Sequence, residues 1–140
     1  MIKIANIHDL PHLSSMLQSL YTELMPDHAT TDELVYRQCI MEHMVDDRDT
    51  VYVADNGFFI VRDETEPMTP TLHRYNGLRV FIKPQHRHTR LLANFYTRLF
   101  KDFPNGDILG MTEINSEHID ILEKRHELIA KLYKLKKEKL

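Results

Sequence analysis

The sequence contains a single cysteine, Cys39, so no intrachain disulfide can form and a reducing compartment is expected. It also lacks any apolar run approaching the roughly 18 residues that a membrane span needs. The opening MIKIANIHDL is too polar for a signal peptide, and the expected location is the cytoplasm. Charge of one sign is missing as well: 18 Lys and Arg stand against 21 Asp and Glu, a formal net charge of −3. No global field therefore draws in nucleic acid or an anionic membrane, and any such contact has to be local. Internal repeats and low-complexity tracts are absent. What is present, 42% hydrophobic and 28% charged residues in a chain of 140, suits one globular domain over 1–140 with one real core.

The stretch 78–100 organises the rest. Leu78, Val80 and Ile82 alternate with Arg79 and Phe81 as a strand does. Pro84 stops that strand and steers Lys83 away from the α region. Gln85, His86, Arg87, His88, Thr89 and Arg90 make a polar, basic turn. Leu91, Leu92, Phe95, Tyr96, Leu99 and Phe100 then form a broad apolar stripe at helical spacing. A helix N-terminus beside two arginines can seat a phosphate. The plainer reading, a strand-to-helix turn with a solvated basic edge, stands beside it.

Upstream, Ile2, Ile4 and Ala5 predict a short strand, and Asp9 with Pro11 predicts a helix start. Leu10, Leu13, Met16, Leu17, Leu20, Tyr21 and Leu24 mark an amphipathic helix that ends before Pro26. Thr31 or Asp32 is expected to cap a second helix through Leu34, Val35, Cys39, Ile40, His43 and Met44. Asp46, Asp47 and Asp49 then read as a solvated helix end rather than a metal site. Residues 50–54 and 58–62 flank Asn56-Gly57, a strong hairpin signal. The segment 63–76 is expected to be a long connection, extended over part of its length.

Downstream, Pro104, Asn105 and Gly106 form a turn, and 107–112 reads as a strand. Asn115 or Ser116 starts a short helix, 127–135 reads as a last strand, and Lys136, Lys137 and Lys139 make a basic tail expected to be solvated. Strand, two helices, hairpin, strand, helix, strand, helix and strand give an α/β sheet covered on both faces. His86 and His88 are a close pair, but no third ligand stands at a known spacing, so no metal is expected. Cys39 has no recognisable His–Asp arrangement around it, and nucleophilic catalysis is not expected.

Three segments, in order and covering nearly the whole chain, resemble the GNAT superfamily of acyl-CoA-dependent N-acetyltransferases. IKIANIHDLPHL is similar to that family's first strand and helix entry, and FIKPQHRHTRLL to its strand end and pyrophosphate loop. NSEHIDILEKRHELIAKLYKL is similar to its late Asn, short helix and final strand. The resemblance implies a mixed, mostly antiparallel sheet with helices on both faces and a splayed parallel strand pair. It also implies acetyl-CoA as acyl donor. Backbone groups of Phe81 and Ile82 would hold the pantetheine arm. Amides of Arg87, His88, Thr89, Arg90, Leu91 and Leu92 would cradle the pyrophosphate, and Asn115 would reach the departing thiol.

The chain departs from the family pattern at named places. Arg90 and Leu92 replace loop glycines, Leu122 stands where a tyrosine often protonates the thiolate, and His126-Glu127 replaces a Gly-Phe pair. Such a loop is similar to those of some small phage-encoded GNAT-like proteins. The resemblance implies direct transfer to an amine, with Glu113 the best-placed base and His126 a substitute acid. Glu23, Asp27 and His28 are candidates for an acceptor site. Three readings follow: an N-acetyltransferase acting on a small-molecule or protein amine, a GNAT-fold binding or assembly component, and a nucleic-acid base modifier. Quaternary state, monomer or homodimer, is left open.

Overall fold

A computed structural model describes residues 1–110. The expectation of one domain over 1–140, and every expectation for residues 111–140, reach beyond the described residues.

The chain opens with a two-residue strand, β1 (Lys3–Ile4), and a 3-10 turn (Ile7–Asp9). Two helices follow, α1 (Leu10–Leu24) and α2 (Glu33–Val45). A hairpin comes next, β2 (Asp49–Ala54) and β3 (Gly57–Asp63), then the long strand β4 (Arg74–Ile82). A 3-10 turn (Pro84–His86) leads to α3 (Leu91–Asp102) and β5 (Asp107–Gly110). The strands lie in chain order, antiparallel from β1 to β4, with β5 parallel to β4. Among the described residues this is the mixed, mostly antiparallel sheet expected.

Both faces of the hairpin are buried, which is why its strands read as almost continuous apolar runs. Val51, Val53, Phe58 and Ile60 face α1 and α2, packing on Leu13, Met16, Leu17, Tyr36 and Ile40. Tyr52, Ala54, Phe59 and Val61 face the other way, onto Phe95 and Leu99 of α3. The period of two along each strand thus divides one sheet between two cores. Helices cover both faces.

Several local expectations are corrected. Asp9 does not cap α1 with its side chain. Asn6 is the cap of the preceding 3-10 turn, and Asp9 reaches back to the Asn6 N–H at 2.9 Å in a capping box. At α2 the cap is Asp32, which accepts from the Leu34 N–H at 3.0 Å. Tyr36, not Leu34 or Val35, joins the core, because the buried row on α2 is Tyr36, Ile40 and His43. On α3 the row that meets the sheet is Phe95 and Leu99, so Phe100, the next residue round the helix, is 57% exposed.

The hairpin forms as expected, but its glycine acts differently. Asp55 and Asn56 make the link, and Gly57 already belongs to β3. No described residue has a left-handed backbone, so freedom of φ is not what Gly57 supplies. A Cβ there would stand 2.5 Å from the Phe81 carbonyl oxygen. The glycine is required by the close approach of β4 to β3.

β4 begins at Arg74, four residues before the alternating pattern starts, because pairing on both sides extends it. Arg74 to Gly77 pair with β5, and Tyr75 stacks on Phe103 with ring centres 4.4 Å apart. Opposite β3, Ile60 pairs with Arg79 and Val61 with Gly77. Leu78 is therefore an extra residue, a β-bulge in the middle of β4. The described pairing with β5 ends at Gly77, immediately before it.

Candidate functional site

The C-terminal end of β4 and the turn after it carry most of the expected cofactor residues. Phe81 and Ile82 are buried and pair with Phe58 and Gly57. The Phe81 ring packs on Phe58, centres 6.2 Å apart. The Lys83 N–H donates to the Asn56 carbonyl at 2.8 Å, which pins the strand end to the hairpin. Pro84 then starts the 3-10 turn that reverses the chain towards α3.

Arg87 leaves that turn and points back into the protein. Its Nε–H donates to the Ile82 carbonyl at 2.9 Å, and its Nη1–H donates to Glu23 at 2.5 Å. The guanidinium lies 5.8 Å from the centre of the Phe81 ring. Its side chain thus ties the turn to α1, and of the two arginines expected beside the helix start only Arg90 stands exposed there. Thr89 shapes the turn by donating to the His86 carbonyl at 2.6 Å and accepting from the Leu91 N–H at 3.3 Å. The amides of Arg87 and Thr89 go to Pro84 and His86. Those of His88, Arg90 and Leu92 have no acceptor among the described residues. Three N–H groups at the positive end of α3 can therefore receive an anion.

Beside this strand end, α1 and β4 enclose a cavity of about 600 Å³ lined by His12, Ser19, Glu23, Phe81 and Lys83 among others. Of the suggested acceptor residues Glu23 lines it, whereas Asp27 and His28 are exposed in the loop after α1. Glu113, Asn115 and His126 lie outside the described residues.

A second cavity, of about 490 Å³, was not anticipated. Cys39, Glu42 and His43 line it from α2, Asp46 from just past the end of that helix, Arg62 from β3, and Leu78 and Arg79 from β4. Here the expectation of a solvated acidic end fails for Asp49, whose side chain is fully buried. His43 Nδ1 lies 2.8 Å from Asp49 Oδ2, and Arg62 donates to the same carboxylate at 2.6 and 2.9 Å. Arg79 donates from Nε to His43 Nε2 at 3.3 Å and from Nη1 to the Tyr21 hydroxyl. These partners assign the neutral imidazole its proton on Nδ1.

The electrostatics follow from the packing. Burial works to raise the Asp49 carboxyl, but hydrogen bonds from Arg62 and His43 outweigh it and hold the group below its ordinary value. His43 is raised, chiefly by the Cys39 thiol one helical turn away; burial opposes this and Asp49 adds to it. The Cys39 thiol is lowered, first by His43 and then by the Arg79 charge, against its own burial. A His–Asp pair, His43 with Asp49, thus stands beside the cavity that Cys39 lines, with the second ring nitrogen of His43 taken by Arg79.

The whole sheet order, the bulged β4 and the helices on both faces can be compared with solved structures. An aminoglycoside 6'-N-acetyltransferase from Acinetobacter haemolyticus superposes with a TM-score of 0.72 at 13% identity, covering 98% of this chain and 97% of that one. A ribosomal-protein-alanine N-acetyltransferase from Brucella melitensis gives 0.71 at 14% identity, with 97% of each chain covered. This is the GNAT fold. An aminoglycoside 6'-N-acetyltransferase from Acinetobacter baumannii agrees, at 0.69 and 16% identity over 97% of both chains. Neither a protein-family model nor a curated protein matches the sequence. The resemblance to the GNAT superfamily thus holds at the level of fold. The turn before α3 has no glycine and no left-handed backbone.

Proposed function

We propose that this chain transfers an acetyl group from acetyl-CoA to an amine. The observation that carries the reading is a pair of features along β4. A bulge at Leu78 interrupts the regular pairing in the middle of the strand, and the turn after the strand presents the open amides of His88, Arg90 and Leu92 beside the exposed Arg90. Backbone amides at a helix start suit a diphosphate, and a bulged strand offers backbone groups to a long amide-bearing arm. Of the amides of 87–92, the open ones of His88, Arg90 and Leu92 would hold the pyrophosphate. Phe81 and Ile82 would line the arm with backbone groups, Ile82 with its carbonyl already shared by Arg87. Asn115 would lie near the leaving thiol, Glu113 would take the amine proton, and His126 would protonate the thiolate. The GNAT-fold N-acetyltransferases described above support the reaction class, not an acceptor.

The test is calorimetric titration with acetyl-CoA and CoA at two salt concentrations. Binding at roughly micromolar Kd, weakened by Arg90→Ala and by salt, is the expected result. Absence of binding up to about millimolar would overturn the reading and point to a GNAT-fold component that acts through partners.

A further inference from the structure

α2 is apolar on two opposite sides. Tyr36 and Ile40 belong to the core, with His43 buried in the same row. Half a turn round the helix, Leu34, Gln38, Met41 and Val45 make a second row. Its three apolar members stand in solvent, Leu34 at 68% exposure and Val45 at 77%, and the neighbouring Val35 widens the patch. Single apolar residues at a surface need no explanation, but three in line along one helix do. A surface helix ordinarily turns one apolar side inward and a polar one outward.

The outer row has the spacing of a helix–helix seam. Residues 34, 38, 41 and 45 are separated by four, three and four, which sets Leu34 and Met41 at d and Gln38 and Val45 at a of a heptad. Tyr36, Ile40 and His43 fall at f, c and f, on the side away from that seam, so core and seam make no competing demands. Leucine at d with a β-branched residue at a suits two strands. One polar residue at an a position fixes register and strand number at a cost in stability, and Gln38 is that residue.

The flanks give the orientation. Arg37 stands at g and Glu42 at the e position five residues later, the spacing at which charges meet across two parallel helices. About a two-fold axis parallel to α2, Arg37 of each copy meets Glu42 of the other, so the closed pair holds two such contacts. An antiparallel pair sets like flank against like flank and forfeits both. Each group has capacity to spare. Arg37 donates to Glu33 at 2.9 Å and Glu42 accepts from Gln38 at 3.3 Å, within a guanidinium of five donors and a carboxylate of two oxygens.

We propose that the outer row of α2 is a self-association surface, on which a second copy of the chain docks as a short parallel helix pair. Four seam positions on a helix of 13 residues make a small interface, so the pair is reversible and depends on concentration. Neither acyl donor nor acceptor enters the argument, and the inference stands apart from the reaction proposed above.

The experiment is sedimentation velocity of the full chain over a dilution series at about 0.15 M salt. Passage from monomer to dimer within roughly 1–100 µM is expected. Val45→Lys changes an exposed position and is expected to weaken the dimer at least about tenfold while circular dichroism stays unaltered. Arg37→Glu and Glu42→Arg each set like charges across the pair, and each alone is expected to weaken it about tenfold. Mixed in equal amounts, these two variants place opposite charges on both flanks, and the dimer is expected to return with one chain of each kind. A variant that is merely damaged cannot produce that recovery.

A chain that stays monomeric up to about 1 mM overturns the inference, and the row is then covered by a different protein or by this chain itself. A dimer that Val45→Lys leaves intact is held elsewhere and overturns it as well. Charge variants that are as dimeric as the parent, or that fail to recover on mixing, overturn the parallel pairing.

Discussion

Arg87 and Glu23 lie 64 residues apart in sequence, and the guanidinium meets the carboxylate at 2.5 Å. The contact joins the turn after β4 to the last residues of α1, and the Arg87 side chain is only 11% exposed in it. An arginine at the place where a phosphate-binding residue is expected therefore serves first as a strut for the loop.

Removing Glu23 leaves that guanidinium poorly compensated. Glu23→Ala is expected to cost about 1–2 kcal/mol of stability, with Arg87→Ala adding little more in the double variant. Urea unfolding of the two single variants and the double variant checks this. Fully additive losses would show that the pair is not coupled.

Gly57→Ala places a methyl group 2.5 Å from the Phe81 carbonyl oxygen, with backbone on both sides of the clash. A loss of about 1–3 kcal/mol is expected, although no backbone angle forbids alanine. Thermal unfolding reads it as a lowered Tm. An unchanged Tm would mean that β3 and β4 can part at this end.

Two phenylalanines of α3 separate core from surface. Phe95 is 1% exposed and Phe100 57%. Phe95→Ala is expected to cost about 3–5 kcal/mol and Phe100→Ala less than about 0.5 kcal/mol. Denaturant midpoints of the two variants give the comparison directly, and similar losses would refute the placement of α3.

Stability should fall at both ends of the pH range through the same cluster. His43 is raised in the folded chain, so its contribution is complete below the ordinary value of 6.5 and is lost as pH rises through the higher folded value. Asp49 is lowered, so its contribution is complete above 3.8 and is lost as pH falls through the lower folded value. His43→Gln is expected to flatten the alkaline limb and to leave the acidic limb in place. Unfolding midpoints measured across pH test it, and an unaltered alkaline limb would exclude His43 as the group responsible.

Much of the fold was legible in short-range pattern. The row Leu10, Leu13, Leu17 marked the buried face of α1, and the apolar runs 50–54 and 58–62 on either side of Asn56-Gly57 marked the hairpin. Asp32 could be read as a cap because capping is decided within three residues. Phe100 was misread because apolar character does not say which row of a helix meets the sheet. β4 was placed too short because residues 74–77 owe their extension to partners on both sides rather than to their own alternation.

The candidate site divides in the same way. Sequence alone determined that a proline-stopped strand runs into a basic turn and a helix, because each step depends on neighbours in the chain. The turn's glycine-free path was equally visible there. Tertiary structure alone decided that Arg87 turns to Glu23, that Leu78 is the bulged residue, and that Asp49 lies buried under His43 rather than in solvent. These relations depend on strand register and on how α1 and α2 seat against the sheet. Both are set by the packing of residues far apart in sequence, and no local pattern encodes them.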